Sequence, residues 1–194
     1  MKTYSYNENY QDSFMTVINN AINEFPRTFA LRVDLRFPTD YIYGQSSKYI
    51  TRFIESLKSK LKFDVINKNS KWNREFKNRL RYIWVREFGV RSRRKHYHVV
   101  LFLNKDIYYS LGLFSSDSSL ASLIQQAWCS ALNIDHIVSS YLVHFPEKGT
   151  FYLCNNDDYI QKKIISLKER IDYLAKDYTK VYGDGYRSIG MSRN

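Results

Sequence analysis

Residues 81–104 read RYIWVREFGVRSRRKHYHVVLFLN. Tyr82 to Phe88 is rich in β-branched and aromatic residues, and Val99 to Leu103 is continuously apolar. Between them Gly89 opens a short loop carrying Arg91, Arg93, Arg94 and Lys95. That pattern predicts a β-hairpin. Side chains alternate faces along a strand, so His96 and His98 share one face, and an antiparallel partner can place Glu87 beside them. Two imidazoles and a carboxylate converging in this way form a divalent-metal site with coordination positions left open. A His-x-His pair at a strand start also occurs as two partly exposed rings that hold nothing. The upstream glutamate and the basic loop favour the metal, since both suit metal-assisted chemistry on a phosphate.

The rest of the chain fits a basic, globular partner of nucleic acid. Its 194 residues suffice for one domain with a real core. The formal net charge of +11 points to a polyanion. Seventeen tyrosines, twelve phenylalanines and three tryptophans add rings on which single-stranded bases stack, although most Phe and Trp rings belong in a core. The two cysteines, Cys129 and Cys154, have no CxxC spacing. No disulfide framework or zinc ribbon is expected, and a reducing cytosol is the simplest compartment. No apolar run reaches about 18 residues and the N-terminus is polar, so neither a membrane span nor a signal peptide is expected. The absence of GxxxxGK[ST] argues against a fused P-loop ATPase.

Along the chain, Asn9 to Phe25 has helical spacing of apolar residues and stops at Pro26. Thr28 to Phe37 alternates as a strand with one buried face, and Asp34 on its polar face either pairs with Arg32 or Arg36 or adds an acidic ligand. Ser46 to Phe63 is a second helix, followed by a basic run from Lys68 to Arg81 that is either a solvated face or a phosphate-tracking surface. After the hairpin, Asp117 or Ser118 can cap a helix ending near Leu132, and Ile137 to Phe145 reads as a strand with His136 and His144 as structural or surface residues. Asn155 to Lys180 is the longest helical signal, with a stripe of Ile160, Ile164, Leu167, Ile171, Leu174 and Tyr178. A Gly- and Tyr-rich tail closes the chain. The expected architecture is α+β: a central antiparallel sheet with helices on its faces, in a single domain.

The last helix contains Tyr173-Leu174-Ala175-Lys176. A phenol is a poor nucleophile at neutral pH, its ordinary pKa being about 10. It becomes useful when the electrophile is activated by a metal and the hydroxyl is aimed in line. Lys176, about one turn away, shares its face and suits a phosphate. Tyr159-Ile160-Gln161-Lys162 fits the same short pattern, and Tyr178 is a third candidate, more consistent with core. Tyr173 lies about 140° from the apolar stripe on an ideal helix.

The apolar strand Phe29 to Leu35, His96-Tyr97-His98 with Glu87 upstream, and Tyr173-x-x-Lys176 occur in the order of the HUH endonucleases that initiate rolling-circle replication. REFGVRSRRKHYHVVLFLN, IDYLAKDYTK and the terminal RSIGMSR resemble more closely the inovirus replication proteins of the YagK/YfjJ type. The resemblance is drawn over residues 28–194, with residues 1–26 as a helical extension of an HUH/RRM-like domain. It implies that His96, His98 and Glu87 bind Mg²⁺ or Mn²⁺. It implies that Tyr173 attacks a single-stranded origin phosphate and keeps the 5′ end as a phosphotyrosine ester, with Lys176 assisting. Arg91, Arg93, Arg94 and Lys95 would then hold the flanking strand, and a host helicase would unwind the duplex. Two other readings stay open: an RRM-like binding module without catalysis, and a single-strand transposase of the same chemistry.

Overall fold

The hairpin forms. β2 (Arg81–Phe88) and β3 (Lys95–Asn104) pair antiparallel, with Glu87 opposite His96 and Val85 opposite His98. β1 (Arg27–Arg36) pairs with the other edge of β3 and sets Asp34 opposite His98 and Arg36 opposite His96. The computed structural model describes residues 8–39, 48–89, 93–174 and 183–193. Its six-stranded antiparallel sheet runs β4-β1-β3-β2-β6, and β5 pairs with β1 beside β4.

Period-two alternation divides the core between the two sheet faces. Phe29, Leu31, Val33 and Leu35 of β1, Trp84 of β2, and Tyr97, Val99 and Leu101 of β3 pack with α2 (Lys48–Trp72) and α3 (Leu120–Leu132). Ala30, Ile83, Val85, Val100 and Phe102 point the other way and pack with α1 (Glu8–Glu24) and α5 (Ile160–Leu174). Each large side chain removed from water here contributes roughly 1.5–3 kcal/mol. Strand parity therefore puts Glu87, His96, His98 and Asp34 on the α1/α5 face. Tyr97, between the histidines, is fully buried on the opposite one.

Several boundaries differ from the sequence reading, each for a local reason. α2 continues past Phe63 to Trp72, because Lys68 closes an i,i+4 bridge to Asp64 and Tyr108 donates to the same carboxylate at 2.7 Å. Asn73, at φ 50°, then ends it. α3 is capped by Ser119, whose hydroxyl accepts from the Ser122 amide, and not by Asp117 or Ser118. The expected strand at 137–145 is mostly helical. Asp135 caps α4 (His136–Ser139), a 3-10 turn follows at Ser140–Leu142, and only β4 (Val143–His144) joins the sheet. Ile137 and Val138 lie exposed, so their β-branched character finds no partner strand.

Two short strands escaped the sequence reading: β5 (Thr150–Cys154) and β6 (Ile189–Met191) in the tail. β6 approaches so closely that a Cβ on Gly190 would meet the Trp84 ring at 2.4 Å, which requires glycine there. α5 starts at Ile160, after Asp157 accepts from the Tyr159 amide and pairs with Lys163. Both cysteines are free thiols, and no described helix is long and apolar enough to cross a membrane.

Candidate metal centre

Three side chains converge at the end of the hairpin. His96 Nε2 lies 3.2 Å from His98 Nε2. The Glu87 carboxylate is 3.4 Å from His98 Nε2 and 3.9 Å from His96 Nε2. Ligands about 2.1 Å from one cation stand roughly 3.4 Å apart at tetrahedral angles and about 3.0 Å apart at cis octahedral angles. The two imidazoles already meet that spacing, and the glutamate needs a shift of only a few tenths of an ångström. Among the described residues this is the group of histidine, cysteine and acidic side chains with metal-ligand geometry.

The proton positions also suit a cation. His98 Nδ1 lies 2.6 Å from Asp34 Oδ1 and donates to it. His96 Nδ1 lies 3.3 Å from the Arg94 carbonyl and donates there. With both Nδ1 protons engaged, both Nε2 lone pairs face the common centre, which is the tautomer a metal requires. Arg32 fixes the Asp34 carboxylate through contacts at 3.0 and 3.3 Å, and His144 Nδ1 approaches its other oxygen at 3.6 Å.

Burial disfavours charge on Asp34, but the hydrogen bond and charge of His98, backed by Arg32, hold its carboxyl well below the usual range. Burial and the nearby His98 charge push His96 below the ordinary imidazole value, against the pull of the Arg94 carbonyl and Glu87. Burial opposes charge on His98 too, yet the Asp34 and Glu87 hydrogen bonds raise it. The two rings thus shift in opposite directions, His98 up and His96 down.

Beside the centre a cavity of about 430 Å³ is lined by Arg36, Phe37, Arg94, Tyr141 and Leu142 along with the histidines. Arg93 and Arg94 are exposed on the hairpin loop, where a phosphate can reach them. Lys95 corrects the expectation. It points to the opposite sheet face, is 2% exposed, and holds its ammonium over the Phe37 and Tyr49 rings at 5.0 and 5.3 Å. Burial, then the charge of Arg86, lower it to about 8, against the pull of Asp184. Its odd position on β3 sends the ammonium there, although Lys95 also lines the cavity beside the histidines. Arg91, Lys176 and Tyr178 lie outside the described residues.

The expected tyrosine is not in this cavity. Ile164, Leu167 and Ile171 seat α5 on the sheet, and Tyr173, on the far side of that stripe, is 57% exposed. Tyr159, at the other end of α5, is also exposed, under Lys162. α5 packs back over β5: the strand leaves the sheet beside Arg27, and Arg170 lies over the Phe151 ring, which is opposite Ala30. The described phenol that does line the cavity is Tyr141, 69% exposed.

Sequence reasoning missed Tyr141 and the part played by His144, because both sit in a segment read as a plain strand. It left Asp34 between an arginine pair and a ligand. The structure gives it Arg32 and the back of His98 together.

A family model described as the YagK/YfjJ C-terminal domain matches residues 1–192. That span takes in α1, which the sequence resemblance had left outside and which packs on the sheet face that carries the histidines. The protein YfjJ of Escherichia coli (strain K12), named as uncharacterized, is 36% identical over 195 residues, covering 95% of this chain and 93% of its own. The protein YagK of the same organism, named likewise, is 35% identical over 206 residues, covering all of this chain and 99% of its own. No solved structure matches.

Proposed function

This chain belongs to the YagK/YfjJ C-terminal domain family, and we propose that it nicks and rejoins single-stranded DNA through a phosphotyrosine ester, as an initiator of rolling-circle replication. The observation that carries the reading is the meeting of two Nε2 atoms and one carboxylate oxygen within 3.2 to 3.9 Å, with both Nδ1 atoms already occupied behind them. Glu87, His96 and His98 are the ligands. A set of two nitrogens and one oxygen suits Mn²⁺ better than Mg²⁺, which prefers oxygen. Once bound, the cation withdraws charge from a non-bridging oxygen of the scissile phosphate.

The chain's own groups do the rest. Asp34 keeps the His98 ring oriented. Arg93 and Arg94, with Arg91, hold flanking phosphates, a positioning role. The Tyr173 phenol oxygen attacks phosphorus, the bond to the 3′ oxygen breaks, and that oxygen takes up the proton the phenol releases through solvent. The 5′ phosphate stays on the tyrosine, and the reverse attack rejoins the strand. Tyr173 must approach the cavity for this step, either by movement of the last turn of α5 or by a substrate strand bent over it. Lys176 assists at the phosphate, and a partner helicase supplies unwinding. Tyr141 is the alternative nucleophile because it already lines the cavity.

The test incubates the protein and Mn²⁺ with single-stranded oligonucleotides tiled across the DNA flanking its own gene. A covalent protein–DNA species on a denaturing gel is expected, lost with EDTA, in His98→Ala and in Tyr173→Phe. Loss in Tyr141→Phe, Tyr159→Phe or Tyr178→Phe, with retention in Tyr173→Phe, moves the nucleophile to that residue. Binding without any adduct leaves a non-catalytic single-strand module.

A further inference from the structure

A second cavity, of about 320 Å³, opens on the sheet face opposite the histidines. Stretches far apart in sequence line it: Lys58 and Lys62, one turn apart on α2; Arg79 ahead of β2; Tyr82 in β2; Ser192 and Arg193 after β6. Tyr82 and Glu87 are five residues apart on the same strand. They therefore face opposite sides of the sheet and stand about 16 Å apart along it. None of this cavity's lining residues lines the one beside the metal centre.

Four cations surround the cavity, and among the described residues no carboxylate side chain lines it. Lys58 pairs outward with Glu55 at 2.8 Å, and both side chains are exposed. Arg79 reaches Glu24 only at 4.0 Å, because Arg81 takes the other oxygen of that carboxylate at 2.8 Å. Among the described residues no carboxylate pairs with Lys62 or Arg193. Like charges gathered round a concave, low-dielectric wall repel one another and focus their field outward, which favours a bound anion. Tyr82 adds a half-buried ring, with Lys58 5.9 Å from its centroid, against which a base can stack.

We propose that this cavity binds phosphates of a single-stranded nucleic-acid backbone at a second site, separate from the metal centre. The choice of polymer rests on the nucleic-acid reading above. The site itself depends on neither the metal nor the tyrosine.

The experiment measures anisotropy of fluorescein-labelled oligothymidylate across a KCl series. It compares the wild type with a Lys62→Gln/Arg79→Gln/Arg193→Gln variant, with EDTA present throughout. Each lost phosphate contact on a single strand lowers the log–log salt slope by about 0.7, so the triple variant is expected to lose about 2. With EDTA present throughout, that loss does not depend on a cation at the histidines or on any oligonucleotide being nicked. An unchanged circular dichroism spectrum and melting temperature certify the fold of the triple variant; should it not fold, Lys62→Gln and Arg193→Gln alone are each expected to lose about 0.7. A wild-type slope in the charge variants overturns the proposal. So does inorganic pyrophosphate binding that disappears in the triple variant while the oligonucleotide slope stays put, because the ligand is then a small phosphate.

Discussion

At the residue scale, Asp34 decides how well the centre works. It accepts a hydrogen bond from Nδ1 of His98 and is itself fixed by Arg32. Asp34→Asn keeps the shape and removes the charge, and Mn²⁺ affinity near neutral pH is expected to fall 10- to 100-fold by calorimetry. His98 binds a cation only when its Nε2 carries no proton. Because Asp34 and Glu87 raise its pKa above the ordinary 6.5, proton competition begins above that value, and Mn²⁺ affinity drops as pH falls through it. In Asp34→Asn the raised value relaxes, so the fall sets in at lower pH; an identical pH profile in both proteins would contradict this role. Tyr97 tests the opposite face. Its hydroxyl is fully buried with no hydrogen-bond partner among the described residues, so Tyr97→Phe removes an unsatisfied polar atom. It is expected to stabilise by about 1 kcal/mol, read as a melting temperature roughly 2–4 °C higher.

At the scale of elements, the metal centre is a product of strand parity. Glu87, His96 and His98 meet because β2 and β3 pair with Glu87 opposite His96, and a one-residue slip would turn the histidines to the other face. This part was legible in the sequence, because alternation and the Gly89 loop signal are local. β5 and β6 were not, because strands of five and three residues carry little periodic signal and are defined by the edges they join. The segment 137–145 misled for the same reason: β1's outer edge is shared between β4 and β5, leaving Ile137 and Val138 no strand to pair with. Gly190 tests β6 directly. Gly190→Val drives a side chain into Trp84 and is expected to cost about 1–3 kcal/mol in thermal or urea unfolding. A stability unchanged within error would mean that β6 does not dock on β2.

For the whole molecule, the sheet separates two chemistries. One face carries the histidine centre under α1 and α5, and the other carries a cationic cavity beside α2. The net charge of +11 is thus locally organised instead of being spread as a uniform solvated coat. The placement of α5 was half legible: its apolar stripe foretold that Tyr173 would face away from the sheet, and only the pairing of β5 with β1 tells which part of the sheet the helix packs beside. All of this rests on a cation being held where the two rings and the glutamate meet. Electron paramagnetic resonance of Mn²⁺ titrated into the protein measures that directly. One tightly bound ion per chain in the wild type, absent from His96→Ala/His98→Ala and weakened in Glu87→Gln, is the predicted result; the same bound fraction in all three proteins would contradict it.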